Sequence, residues 1–200
     1  PVLDVDTNPK NPVIGDRALG DDPERVGRLG AALIQGLQDG RVAACAKHFP
    51  GHGDTDTDSH LELPCVDHSR SRLQDVELRP FRKAVECGVA SMMTAHILVR
   101  DIDDQWPATL SRPVLDLLRK GMKYDGLVFT DDLEMKALAN DYTVAESAVL
   151  AIEAGCDGVL ICSGNHDVKA AVLEALVHAV EDNRLPLTRV DDCLKRQRRA

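Results

Sequence analysis

A parallel α/β fold follows from three features of this 200-residue sequence. Five short apolar runs, at 2–5, 42–46, 89–96, 126–131 and 157–162, lack the alternation of a half-exposed strand and read as strands buried on both faces. Segments of helical period lie between them, and strand alternating with helix is the pattern of a parallel sheet. Polar, potentially reactive residues follow the strand ends at 17, 47–60, 96, 131 and 162–166. Loops at the carboxyl ends of parallel strands gather on one face, which is therefore the expected site.

After the first strand, residues 6–20 form a Pro/Asn/Gly loop that contains Gly15-Asp16-Arg17. Asp22 and Pro23 start a helix, a capping side chain followed by proline at the first helical position. Val26, Leu29, Leu33, Ile34 and Leu37 keep its period until Gly40 stops it. The strand at 42–46 leads into a long polar segment, 50–71, and a helix over 73–87 that Gly88 closes. After the strand at 89–96, Ser111 and Pro113 open a helix that carries Val114, Leu117 and Leu118. The strand at 126–131 ends in acid. Thr143 and Glu146 form a capping box, each side chain satisfying an orphan amide of the first turn, and that helix ends near Gly155. The last strand, 157–162, precedes a helix marked by Val168, Val172, Leu176 and Val180. Lys195, Arg196, Arg198 and Arg199 are expected to complete the last turn of a helix, where cations suit the dipole.

Five strands fit either an open doubly wound sheet or a (β/α)8 barrel lacking about three units, since a complete barrel usually needs about 250 residues. No Gly-rich phosphate loop stands at a strand-to-helix turn to support a nucleotide site. With 44% hydrophobic residues, the chain can bury one sizeable core, and one domain over 1–200 is expected. A net charge of -9 argues against a nucleic-acid or anionic-membrane partner. The six cysteines include no C-x-x-C pair, which fits buried free thiols in a reducing, cytoplasmic compartment. No run approaches the roughly 18 apolar residues of a membrane span. The first residue is Pro and a strand comes at once, so the chain is expected to begin in mid-fold, with a leader or N-terminal part before it; a leader would place the protein in the periplasm or outside the cell.

Chemistry is densest from Lys47 to His60. Asp54, Asp56 and Asp58 imitate the start of a calcium loop, but Ser59 stands at the turn-glycine position and Cys65 at that of the bidentate glutamate. His48, His52 and His60 could hold zinc, yet Pro50 and Gly51 prevent a helix from presenting the first two on one face. Neither metal nor cofactor is expected. Proton transfer needs less: in an extended segment Asp58 and His60 project to one side, and the carboxylate can orient and charge the imidazole. The plain alternative is that both are solvated loop residues. Of Asp131 and Asp132, one can enter the site while the other supports the loop or caps a helix.

These residues also carry a resemblance. Lys47-His48-Phe49-Pro50-Gly51-His52-Gly53, Asp58-Ser59-His60, Leu63-Pro64 and Gly126-Leu127-Val128-Phe129-Thr130-Asp131-Asp132-Leu133-Glu134-Met135 resemble glycoside hydrolase family 3, in its β-N-acetylhexosaminidase branch. Gly15-Asp16-Arg17 and Met93-Thr94-Ala95-His96 extend the match over nearly the whole chain. The resemblance implies a (β/α)8 TIM-type barrel, here apparently without its N-terminal strands and with about five βα units present, that removes terminal β-linked N-acetylglucosamine with retention. It implies Asp131 as nucleophile, Asp58 and His60 as the acid/base pair, and Arg17, Lys47, His48, His96 and Met135 as substrate-binding residues. A small oligosaccharide or amino-sugar glycoside would be the substrate, and an N-terminal segment absent from the chain would complete the barrel. A β-glucosidase, a phosphate-dependent glycosidase of the same family and a non-catalytic fragment of the barrel are the alternatives. Glycines 51 and 53 are expected to give the loop freedom to close. Aromatic residues make up 3% of the chain, which suits a short substrate held at its terminal sugar better than a stacking platform.

Overall fold

The structure is a computed structural model that describes residues 1–59 and 61–200; His60 lies outside the described residues. Helix α1 (Pro23–Asp39) starts as expected, with the Asp22 carboxylate accepting from Arg25 N and Gly40 at its C-cap. Strand β1 (Cys45–Phe49) begins later than the apolar run and ends later. Val42 N still donates to Leu37 C=O, and Arg41 takes a positive φ of 61°, so residues 41–42 finish the helix end. Lys47 and His48 therefore lie within the strand.

Strand β2 (Cys65–Val66) is followed by α2 (Arg70–Asp75) and α3 (Leu78–Glu86), where the sequence predicts one helix. Pro80 has no N–H to continue α2, but it is tolerated in the first turn of a new helix. Next come β3 (Ser91–Thr94), β4 (Leu98–Val99) and α4 (Arg112–Asp116), whose first turn is capped by Ser111 Oγ accepting from Val114 N. Strand β5 (Leu127–Asp132) leads to α5 (Lys136–Ala139) and then α6 (Val144–Ala154), which carries the expected Thr143/Glu146 capping box. Strand β6 (Gly158–Leu160), α7 (His166–Glu181) and α8 (Leu187–Arg199) complete the chain.

The main sheet is parallel, in the order β1-β3-β5-β6. The first expected strand is reduced to one parallel bridge, Val2 to Lys47, on the outer side of β1. Chain order and spatial order therefore coincide. A doubly wound sheet reverses its order at a switch point, whereas consecutive right-handed crossovers keep the helices on one face and build an arc of a barrel. The pairing of β2 with β4 forms a second, two-stranded parallel sheet, too short to leave a period in the sequence. Phe49 and Phe81 meet edge to face at 5.3 Å in the core between sheet and helices.

The basic C-terminus does more than complement a helix dipole. Asp157, whose side chain is fully buried just before β6, is held by Arg119 and, at 3.1 Å each, by Arg189 and Arg196. Arg196 and Arg199 also reach Asp125, at 3.1 and 2.9 Å. Cys156 and Cys193 are buried as expected, but Cys65 and Cys162 are exposed. Among the described residues, no helix is long and apolar enough to cross a membrane.

Candidate active site

The carboxyl ends of β1, β3 and β5 form the rim on which the polar residues gather, and a residue from outside these strands organises it. The carboxylate of Asp4, fully buried, accepts from His52 N at 2.6 Å and from His48 N at 3.2 Å, and it pairs with His48 Nδ1 at 2.7 Å. Burial alone would raise the Asp4 carboxyl, but the charge and hydrogen bonds of His48 and the His52 amide more than offset it and hold it below the usual carboxylate range. With Nδ1 committed to Asp4, the second nitrogen of His48 is the one that can face a ligand. Sequence reasoning passes over Asp4, although an acid inside the apolar run Val2-Leu3-Asp4-Val5 is itself the signal.

The loop after β1 is packed rather than free. A Cβ on Gly53 would lie 1.9 Å from the Val5 carbonyl oxygen, and one on Gly51, at φ +128°, would lie 2.9 Å from Glu77 Cβ. Close approach of chain to chain therefore requires these glycines, which corrects the expectation of loop freedom. Thr7 Oγ1 donates to Asp54 at 2.7 Å and Asn8 Nδ2 to Asp56 at 2.6 Å, while His68 Nε2 lies 2.6 Å from Asp54. Two aspartates of the calcium-like triplet are thus matched by protein donors. Among the described residues, no group of three or more His, Cys, Asp or Glu is placed to hold a metal ion.

Asp131 and Asp132 end β5 with divided roles. Asp131 Oδ1 accepts from Asp132 N at 2.8 Å, which fixes its carboxylate. Asp132 Oδ1 accepts from Glu134 N and Cys162 N, both at 3.2 Å, and so ties the loop after β5 to the loop after β6, the supporting role expected for one of the two. His96, only 1% exposed, sits beneath them, with Nε2 2.9 Å from the Asp132 carbonyl and Nδ1 2.8 Å from Thr109 Oγ1. Burial lowers its pKa against the opposing pull of the Asp132 carbonyl and the two carboxylates. A carbonyl can only accept, so Nε2 carries the proton of the neutral ring, while the Thr109 hydroxyl that faces Nδ1 also donates to the Ala95 carbonyl at 2.9 Å and meets Thr94 Oγ1 at 2.9 Å. Both ring nitrogens are engaged within the protein.

The other expected residues are spread over several elements. Lys47 is half-buried on β1, and Met135 is mostly buried at the N-cap of α5. Arg17 is exposed in a one-turn 3-10 helix, Gly15–Arg17, and folds back on its own loop by donating to Val13 C=O at 2.8 Å. Asp58 C=O accepts from Leu61 N at 2.9 Å and Glu62 N at 3.1 Å. The expected acid/base His60 lies outside the described residues.

A family model, the N-terminal domain of glycosyl hydrolase family 3, matches residues 1–200. The chain belongs to glycosyl hydrolase family 3. Within the family it is 43% identical over 164 residues to a β-hexosaminidase of Thiobacillus denitrificans, covering 82% of this chain and 45% of that protein. It therefore spans less than half the length of that curated relative. A glycoside hydrolase family 3 β-N-acetylglucosaminidase from Paenibacillus sp. str. FPU-7 superposes with a TM-score of 0.96 at 49% identity, over 98% of this chain and 38% of that one. The β-N-acetylglucosaminidase of Thermotoga maritima gives 0.86 at 35% identity, over 98% of this chain and 41% of its own. The barrel arc is thus the arrangement of solved family members.

Proposed function

We propose that this chain carries the reaction centre of a retaining glycosidase that removes terminal β-linked N-acetylhexosamine, N-acetylglucosamine above all, from short fragments such as those derived from peptidoglycan or chitin. Asp131 is the nucleophile, and Asp58 with His60 moves the proton. The single observation that carries this reading is a hydrogen bond of 3.2 Å from Ala137 N, just past Asp131, to the Ser59 carbonyl, between Asp58 and His60 in the chain. It joins the segment holding the acid/base pair to the one holding the nucleophile, and the names of the relatives supply the sugar.

In the first step, Asp131 forms a bond to C1 while the C1–O bond to the leaving group breaks, and the imidazolium of His60 protonates the departing oxygen. In the second, the neutral imidazole takes a proton from water as its oxygen bonds to C1 and the Asp131 carboxylate leaves. Atoms and charge balance over the two steps, and two inversions give retention. Lys47 and His48, on the same rim, offer hydrogen bonds to sugar hydroxyls, with Arg17 and Met135 as further contacts. The test is turnover of an aryl N-acetyl-β-glucosaminide by the intact protein. Asp131→Ala should lower kcat by about 10⁴-fold or more, and undiminished turnover would end the proposal.

A further inference from the structure

Ser59 is 2% exposed, and both its polar ends are held by opposite sides of the site. Its hydroxyl lies 3.1 Å from His52 Nε2. Its carbonyl accepts from Ala137 N at 3.2 Å. That amide belongs to the first turn of α5, whose N–H groups have no partner inside the helix.

The His52 end is rigid in turn. Asp4 holds its amide, Asn11 Nδ2 donates to its carbonyl at 2.8 Å, and its Nδ1 lies 2.7 Å from Thr55 Oγ1. The Thr55 hydroxyl has one proton, which goes to the His52 carbonyl at 3.1 Å. Its oxygen therefore accepts from Nδ1–H, and in the neutral ring Nε2 is left to accept from the Ser59 hydroxyl. This chain of bonds runs from the buried Asp4 through His52 to Ser59, and from Ser59 directly to the turn that follows Asp131.

We infer that Ser59 is the positioning residue that sets the acid/base segment against the nucleophile strand, with His52 fixing its hydroxyl and Ala137 its carbonyl. The inference rests on the reading of Asp131 as nucleophile and Asp58 with His60 as the acid/base pair. Ser59 touches no substrate; it acts through its two chain neighbours. Loss of its hydroxyl removes one of the two anchors, and a small misplacement of a proton donor weakens protonation of the leaving group while the nucleophile stays in place.

The experiment compares kcat/KM for a series of aryl N-acetyl-β-glucosaminides, from 2,4-dinitrophenyl to 4-methoxyphenyl, in the intact protein. In Ser59→Ala, poor leaving groups should lose about 10-fold to 10²-fold, whereas the dinitrophenyl glycoside, which needs little protonation, should be nearly unchanged. His52→Asn keeps a group near Thr55 but cannot reach Ser59, and it should show the same selectivity; His52→Gln, which can reach Ser59, should recover most of the loss. His52→Asn carries the test alone should Ser59→Ala fail to fold. Equal losses across the series, or a dependence equal to wild type, would overturn the inference. His60→Ala is the control: leaving-group dependence there but not in the Ser59 and His52 variants counts against Ser59 alone, whereas its absence in His60→Ala counts against the acid/base reading itself.

Discussion

Asp4 Oδ2 lies 2.7 Å from His48 Nδ1 and joins positions 44 residues apart, with side chains 0% and 7% exposed. The same carboxylate takes the His52 amide, so the first residues of the chain fix both histidines of the loop that leaves β1. Replacing Asp4 by Ala leaves three buried donors without their acceptor. We expect a loss of about 3–5 kcal/mol in denaturant unfolding, together with weaker substrate binding through His48.

The same pair sets a pH dependence at the acid end. The Asp4 carboxyl is held below its ordinary value in the folded state, because His48 and the His52 amide outweigh the effect of burial. The unfolded chain therefore takes up this proton first. Its contribution to stability is present above about pH 3.9 and is lost as pH falls through the lower folded value. Unfolding free energies measured from neutral pH downward should show this limb in wild type and lack its Asp4 share in Asp4→Asn.

His96 and His52 act in a higher window. Burial lowers both, with Asp131 among the groups that oppose it, so the folded protein holds them neutral. Unfolding lets each take up a proton below about pH 6.5, and stability should fall as pH drops through that range. His96→Gln, which removes one titrating ring and keeps a donor for the Asp132 carbonyl, should flatten the slope between about pH 7 and about pH 5.5. An unchanged slope would show that His96 is not neutral in the fold.

Two glycines separate close packing from helix propensity. Gly53→Ala places a methyl 1.9 Å from the Val5 carbonyl oxygen, and it should cost about 3 kcal/mol or more and disturb the loop. Gly36, inside α1, has nothing within 4 Å of an added Cβ. Gly36→Ala should stabilise by about 0.4–1 kcal/mol. Thermal unfolding of the two variants, side by side, measures both signs.

Much of the fold and rim is legible in the sequence because it is local. The strand that ends at Asp131, the Asp22 and Thr143 caps, and the rim position of Lys47 and His48 come from short runs of residues. The features that escape sequence reasoning depend on partners distant in the chain. Asp4 passes unnoticed in an apolar run until His48 and His52 are folded onto it. Gly51 and Gly53 look like hinges until Glu77 and Val5 are seen against them. His96 enters as a sugar contact only through the family resemblance, and its partners, Thr109 and the Asp132 carbonyl, are invisible in the sequence. The pairing of Cys65–Val66 with Leu98–Val99 is two residues long on each side, below the reach of any period.

The covalent bond proposed between Asp131 and the sugar can be trapped. The intact protein is mixed with a 5-fluoro N-acetylglucosaminyl fluoride, in which the ring fluorine slows both steps and the fluoride leaving group keeps the first one faster. Peptide mass spectrometry then locates the added sugar. One adduct is expected, on the peptide containing Asp131 and on that carboxylate, absent in Asp131→Ala. An adduct on another residue, or turnover with no adduct and an inverted product, would contradict it.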